Sequence, residues 1–208
     1  DADKLTISND TARTDLDNVT QVETIELLDG NSFAYTISNS SAFDGDATGV
    51  TIDGDALTGT DTLDFSATNL SRAITILGGA GNDTVVDGGG NDSIVTNDGA
   101  DTITLSAGDN TAVSGDGNDT IVGGTGNDSI SAGNDDDVVT LTGGVNTLDA
   151  GSGNDTITLG SGTDNINANS GADLIQANAN LTVADTITGG SDADKLTISN
   201  DTARTDLD

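Results

Sequence analysis

The sequence predicts an all-β fold, a right-handed parallel β-helix or β-roll solenoid, on three observations. Between Gly78 and Gln176 the chain divides into eleven nine-residue units with no insertion or deletion. In every unit a turn-forming first half precedes a short segment with an apolar residue at the eighth place, and no stretch of the chain shows a helical period of 3.6 residues. The 208 residues contain no Pro, as befits stacked strands that donate ladder hydrogen bonds, since Pro would remove one.

Residues 1–77 are expected to form irregular, wider coils of the same solenoid. Their β-type alternation marks strand candidates at Val22–Leu28, Phe33–Ile37, Val50–Ile52, Leu63–Phe65 and Ile74–Leu77, separated by Gly, Asp, Asn and Ser. The array of residues 78–176 follows, with units such as GGAGNDTVV, DGGGNDSIV and SGDGNDTIV. Gly stands fourth in ten of the eleven units, and Gly takes the positive φ angles of a tight turn at little steric cost. One unit is then half a coil, and two make a full coil with turns on both edges. The eighth places, from Val85 and Ile94 to Ile166 and Ile175, supply a thin core, which Leu105, Leu141 and Leu159 lengthen. A three-residue slip at Ala177–Ala179 predicts a bulge or a lengthened turn. Residues 177–191 continue the solenoid, with Asp185 followed by Ile187, and the pattern runs on into residues 192–208, with Asp194 followed by Leu196.

Residues 1–17, DADKLTISNDTARTDLD, recur unchanged as residues 192–208, an offset of 191. One long repeat is therefore expected to end at Ser191 and the next to begin at Asp192. The chain reads as an excerpt of a longer protein, with no charged-then-apolar signal segment of its own.

The formal charge of −31 comes from 36 acidic residues, all Asp except Glu23 and Glu26, against Lys4, Arg13, Arg72, Lys195 and Arg204. Asp is the acid of turns, so the charge is positional. Nucleic acid and anionic membrane would be repelled, and the natural partner is a cation. No apolar run approaches the roughly 20 residues that span a bilayer. With no Cys and no His, thiolate and imidazole sites are excluded, and the remaining hard oxygen ligands suit calcium best.

Stacked coils bring matching residues to about 4.8 Å apart, so the two edges separate. One carries Asp83, Asp101, Asp119, Asp137, Asp155 and Asp173; the other alternates Asp92, Asn110, Asp128, Asn146 and Asp164. Bare carboxylates about 5 Å apart repel by about 3 kcal/mol at an effective dielectric of 20. An unbroken Asp ladder therefore calls for cations between its rungs. A single Asp in a Gly-rich turn ordinarily caps its own backbone, but eleven units in register favour multiple calcium ions on both edges, with fuller or tighter binding on the all-Asp edge.

These units resemble the RTX family of calcium-binding repeat proteins, whose pattern is GGxGxDxUx. The resemblance implies that sixth-place side chains of neighbouring coils bind one Ca2+ together, helped by turn carbonyls near Gly79 and Gly81 or Gly124 and Gly126. The metal-site candidates are the eleven sixth-place residues with Asp185 and Asp194. Asn97, Ser106, Thr142 and Asn169 replace the second Gly and Asp135 the fourth, which weakens the expectation at those turns. Asp44 with Asp46, Asp53 with Asp55, and Asp61 with Asp64 read more readily as solvated turn residues than as further sites. The NDT and NDS triplets at Asn82, Asn118 and Asn154 match the glycosylation pattern but arise from the turn motif; Asn18, Asn39 and Asn69 are weak candidates outside it.

Mutually repulsive empty ligands couple binding to folding, so the metal-free chain is expected to be largely disordered and to fold outside the cell, where affinities near 10⁻⁴ to 10⁻³ M suffice. The function this implies is structural and extracellular: a repeat of a bacterial fibre, filament or adhesin stalk, joined end to end with identical repeats, with cell-surface glycans as a further partner. A surface-layer protein and an RTX module of a secreted enzyme or toxin are the alternatives. Catalysis within the segment is not expected, because general acid or base work would fall to Asp, Tyr35 or Arg, and ladder spacing already accounts for the paired carboxylates. Third-place residues, for example Gly89, Ala107 and Thr125, form no Thr file of the kind that binds ice.

Overall fold

The computed structural model describes residues 3–7, 14–15, 22–28, 33–36 and 49–199, with the backbone alone at 14–15 and 34–36. The regular elements of the described residues are strands, and every pair is parallel. Two ten-stranded sheets carry the fold. The first comprises Lys4–Ile7, Thr24–Leu27, Val50–Asp53, Ile74–Leu77, Ser93–Asp98, Thr111–Asp116, Ser129–Asn134, Thr147–Ser152, Asn165–Asn167 and Thr186–Thr188. The second comprises Thr14–Asp15, Phe33–Thr36, Leu63–Ser66, Thr84–Val86, Thr102–Thr104, Thr120–Val122, Val138–Thr140, Thr156–Thr158, Leu174–Gln176 and Lys195–Thr197. The chain visits the two sheets alternately, so each pair of visits is one coil of a β-solenoid.

Strand partners measure the coils. In the array Thr84 pairs with Thr102 and Thr102 with Thr120, so one coil spans two nonapeptides. In the preceding segment Lys4 pairs with Thr24, Thr24 with Thr51 and Thr51 with Thr75, each a longer step along the chain. The second sheet widens likewise, where Phe33 pairs with Leu63 and Tyr35 with Phe65. Those larger coils have room for Phe33 and Phe65, both buried, whereas the buried hydrophobic residues of the two-nonapeptide coils are all aliphatic.

Inward side chains stack in file. One row runs through Ile76, Ile94, Ala112, Ile130, Leu148 and Ile166, the other through Phe65, Val85, Ile103, Ile121, Val139, Ile157 and Ile175. Each is at most 2% exposed. Burying one such aliphatic side chain contributes about 1.5–3 kcal/mol, and because each coil touches only its neighbours the stabilisation accumulates along the solenoid axis.

The two edges differ in backbone. On the edge of the all-Asp residues, the second place lies at positive φ in Gly115, Gly133 and Gly151 at 105–117°, and Asn97 (70°) and Asn169 (69°) hold the same left-handed region. Asn enters that region more easily than other residues with a Cβ. On the opposite edge Gly88, Gly124 and Gly160 are not among the positive-φ residues, so Ser106 and Thr142 fit there without strain. Asp135, at 78°, likewise takes the left-handed conformation of the fourth-place Gly it replaces. The substitutions that weakened the sequence pattern thus keep the turns.

The slip after the array is a lengthened turn. Ala177 still points inward, fully buried, and the ladder on both sheets takes a longer step, from Asn165 to Thr186 and from Leu174 to Lys195. The loop folds back through the amide of Asn180, which donates to the Ala177 carbonyl at 3.0 Å, and through Asn180 Nδ2, which donates to Leu159 O at 2.8 Å.

Candidate metal centre

The alternation of sheets places the sixth residue of each unit at the mouth of the following strand, where the turn ends. All eleven are 1–3% exposed. The coils bring Asp83, Asp101, Asp119, Asp137, Asp155 and Asp173 into one file that Asp194 continues, and Asp92, Asn110, Asp128, Asn146 and Asp164 into the other, continued by Asp185.

Within each file the rungs are linked the same way except at Asn146, whose side-chain Nδ2 donates to Asp164 Oδ1 at 2.9 Å while its backbone N–H donates to Thr163 O. The backbone N–H of one sixth-place residue donates to Oδ1 of its counterpart in the next coil: Asp83 to Asp101 at 2.7 Å, Asp101 to Asp119 at 2.8 Å, Asp119 to Asp137 at 2.8 Å, Asp137 to Asp155 at 2.9 Å. On the other edge Asp92 donates to Asn110 at 2.9 Å, Asn110 to Asp128 at 3.1 Å and Asp128 to Asn146 at 3.0 Å. The ladder extends into the wider coils, where the amides of Leu63 and Ile74 donate to Asp83 and Asp92 at 2.8 and 2.9 Å.

The second carboxylate oxygen has a different fate. Oδ2 of Asp92, Asp101, Asp119, Asp128, Asp137, Asp155, Asp164 and Asp173 is buried with no hydrogen-bond partner. Asp83 differs, because its Oδ2 accepts the Gly79 amide at 3.0 Å. A buried carboxylate oxygen without a partner is costly, and a file of them demands a cation or a proton. Burial pushes Asp101 and Asp137 up to about 7 and Asp155 up to about 6, with neighbouring carboxylates adding to the rise and the ladder N–H bonds opposing it. Asp83, Asp92, Asp119, Asp128, Asp164 and Asp173 are raised for the same first reason, loss of water.

The donor set fits calcium. Its free atoms are carboxylate oxygens at the Gly-rich turns, and calcium accepts mixed shells of carboxylate and backbone carbonyl oxygen. Among the described residues no three acidic groups converge on one point, so an ion here draws on neighbouring rungs together with turn carbonyls. Residues at the first place face the same atoms: a Cβ on Gly78 would lie 2.2 Å from Asp83 Oδ2, and one on Gly189 2.4 Å from Asp194 Oδ2.

Sequence reasoning missed the fifth place. Oδ1 of Asn82, Asn91, Asp109, Asn118 and Asn127 accepts the amide of the fifth residue one coil on, at 3.0, 3.0, 2.8, 3.3 and 2.8 Å. These bonds run opposite in sense to the sixth-place ladder and clamp each turn to the next. The frequent Asn-Asp pairs in the units were the available signal. Outside the array, Asp53 Oδ1 accepts the Asp55 amide at 3.3 Å, a turn cap. Asp44, Asp46, Asn18, Asn39, the Tyr35 side chain and the remainders of both seventeen-residue copies lie outside the described residues.

A parallel solenoid whose turns align half-satisfied buried carboxylates from coil to coil is the framework of a calcium-stapled repeat protein. The family model of the RTX calcium-binding nonapeptide repeat matches the chain four times, over residues 77–112, 113–144, 140–175 and 184–197. The chain belongs to that family, whose nonapeptides bind multiple Ca2+ ions. Comparison with curated proteins and with solved structures gave no match.

Proposed function

We propose that this chain is a structural segment of an extracellular bacterial fibre or adhesin stalk, in which sixth-place side chains ligate calcium and identical repeats continue end to end. The observation that carries the reading is the behaviour of the duplicated segment. Lys4–Ile7 is the outermost strand of the first sheet and Lys195–Thr197 the outermost strand of the second, and in each copy the same Leu, Leu5 or Leu196, aligns with a core Ile, Ile25 or Ile175. The segment that completes one array is thus shaped to open the next. It would cover strand edges that an open solenoid otherwise leaves unpaired.

The reading is non-catalytic, since the ladder accounts for the buried carboxylates of the array. Export to a calcium-rich medium follows from the coupling of ligand repulsion to folding. Electron microscopy of a chain carrying several copies of the long repeat, with calcium and with chelator, tests it. Rods that lengthen by about 45 Å per copy, at about 4.8 Å per coil, and vanish in chelator are expected; compact globules in both conditions would reject the fibre.

A further inference from the structure

The first place of the nonapeptide lies beside the sixth-place Oδ2 of its own unit, as the 2.2 Å and 2.4 Å approaches at Gly78 and Gly189 show and a 3.5 Å approach from Gly123 to Asp128 Oδ2 repeats. Across the eleven units this place holds Gly, Ala, Ser, Thr or Leu, with one exception, Asp87. Asp87 is 0% exposed and begins the inward file that continues with Leu105, Gly123, Leu141 and Leu159. A carboxylate there, in a row otherwise apolar, is out of keeping with a purely structural role.

Its contacts account for half of it. Oδ1 accepts the Ser106 amide at 2.5 Å, the Asp87 carbonyl accepts Ser106 Oγ at 3.2 Å, and the Asp87 amide donates to Thr104 O at 3.2 Å. Oδ2 is buried without a partner, as is Oδ2 of Asp92 in the same turn. Asp92 Oδ1 is occupied by the Ile74 amide. Two unpaired, fully desolvated carboxylate oxygens therefore share one turn, and the next rung of that edge is the neutral Asn110.

We propose that Asp87 and Asp92 together hold one divalent cation, calcium by the hardness of its ligands, in a site whose two carboxylates come from a single nonapeptide. Two negative charges meet one doubly positive ion. The site sits where the wider coils of the first segment give way to the regular two-nonapeptide coils, so it anchors the first regular turn of the array. It also breaks the simple ranking of the edges: the tightest site of the Asp/Asn edge is at its beginning.

Calcium titration of the full chain by calorimetry tests this, in wild type and in Asp87→Asn, Asp87→Leu and Asp87→Glu. Wild type should show about one site bound at least tenfold more tightly than the mean of the others. Asp87→Asn and Asp87→Leu should lose that site alone, while Asp87→Glu retains part of it. Circular dichroism in chelator should show Asp87→Leu no less ordered than wild type, because Leu completes the apolar file. Unchanged stoichiometry and affinity in Asp87→Asn would overturn the proposal, as would loss of all sites together in both Asp87→Asn and Asp87→Leu.

Discussion

Each sixth-place carboxylate divides its work between two oxygens. Oδ1 is a structural acceptor tied to the neighbouring coil, and Oδ2 is the buried atom left for an ion, except in Asp83, whose Oδ2 accepts the Gly79 amide. Asn can supply the first function and not the charge of the second, which is how Asn110 and Asn146 stand in the ladder. Asp119→Asn should therefore keep the Asp101 amide bonded yet weaken calcium at the adjoining rungs about tenfold, read by titration. An unchanged binding isotherm would show that Asp119 is no ligand. The raised Asp groups also set a pH dependence. Unfolded Asp titrates near 4, while burial moves Asp101 and Asp137 to about 7 and Asp155 to about 6. In the metal-free chain their contribution to stability is fully present below about pH 4 and lost as pH rises through about 6 to 7. With calcium the order inverts, because the ion requires the ionised carboxylate. Lowering pH from 8 to 5 in a calcium-free solution should raise β content by circular dichroism, and the same change should weaken calcium binding; a flat metal-free response would contradict the burial of these groups.

Among the elements, turns decide where the pattern tolerates change. A fourth-place Gly such as Gly126 combines φ of 133° with a position where a Cβ would lie 2.0 Å from the Gly108 carbonyl. Gly126→Ala should lower the stability of the calcium form by about 1–3 kcal/mol, visible as a fall in thermal midpoint. Ser106→Ala, on the edge where the second place has ordinary φ, should cost less than Gly126→Ala, because it brings no backbone conflict and removes the Ser106 Oγ bond to the Asp87 carbonyl. The strands of the wider coils were legible from their β-type alternation: candidates at Val50–Ile52, Leu63–Phe65 and Ile74–Leu77 match strands to within a residue. Legibility failed where backbone handedness matters. Asn97 and Ser106 look like equal departures in one dimension, yet one occupies a left-handed turn and the other does not.

For the whole molecule the duplicated segment carries a geometric consequence. Lys4–Ile7 is the first strand of the first sheet and Lys195–Thr197 the tenth of the second, and the sheets alternate, so one long repeat advances the solenoid by nine and a half coils. If copies join end to end as proposed, successive ones start on opposite sheets, and the all-Asp edge of one continues into the Asp/Asn edge of the next. Cryo-electron microscopy of tandem copies should find neighbours related by a half-coil step, with cation density stronger on alternate edges. Copies that repeat in the same sheet would exclude that junction. In the proposed fibre such alternation would spread the acidic charge evenly about the axis, where a single acidic flank would bend it through self-repulsion.

The sequence by itself determined the period, the composition of each edge and the class of ligand, because a nine-residue repeat read against a coil of two repeats leaves no freedom in which residues stack. Only the tertiary structure decided which carboxylate oxygen is spoken for, which edge demands left-handed residues and where Asp87 points. These depend on hydrogen bonds and close contacts between residues a full coil apart, such as Asp83 with Asp101 and Gly126 with Gly108, and a linear pattern carries the spacing of such partners but not their orientation.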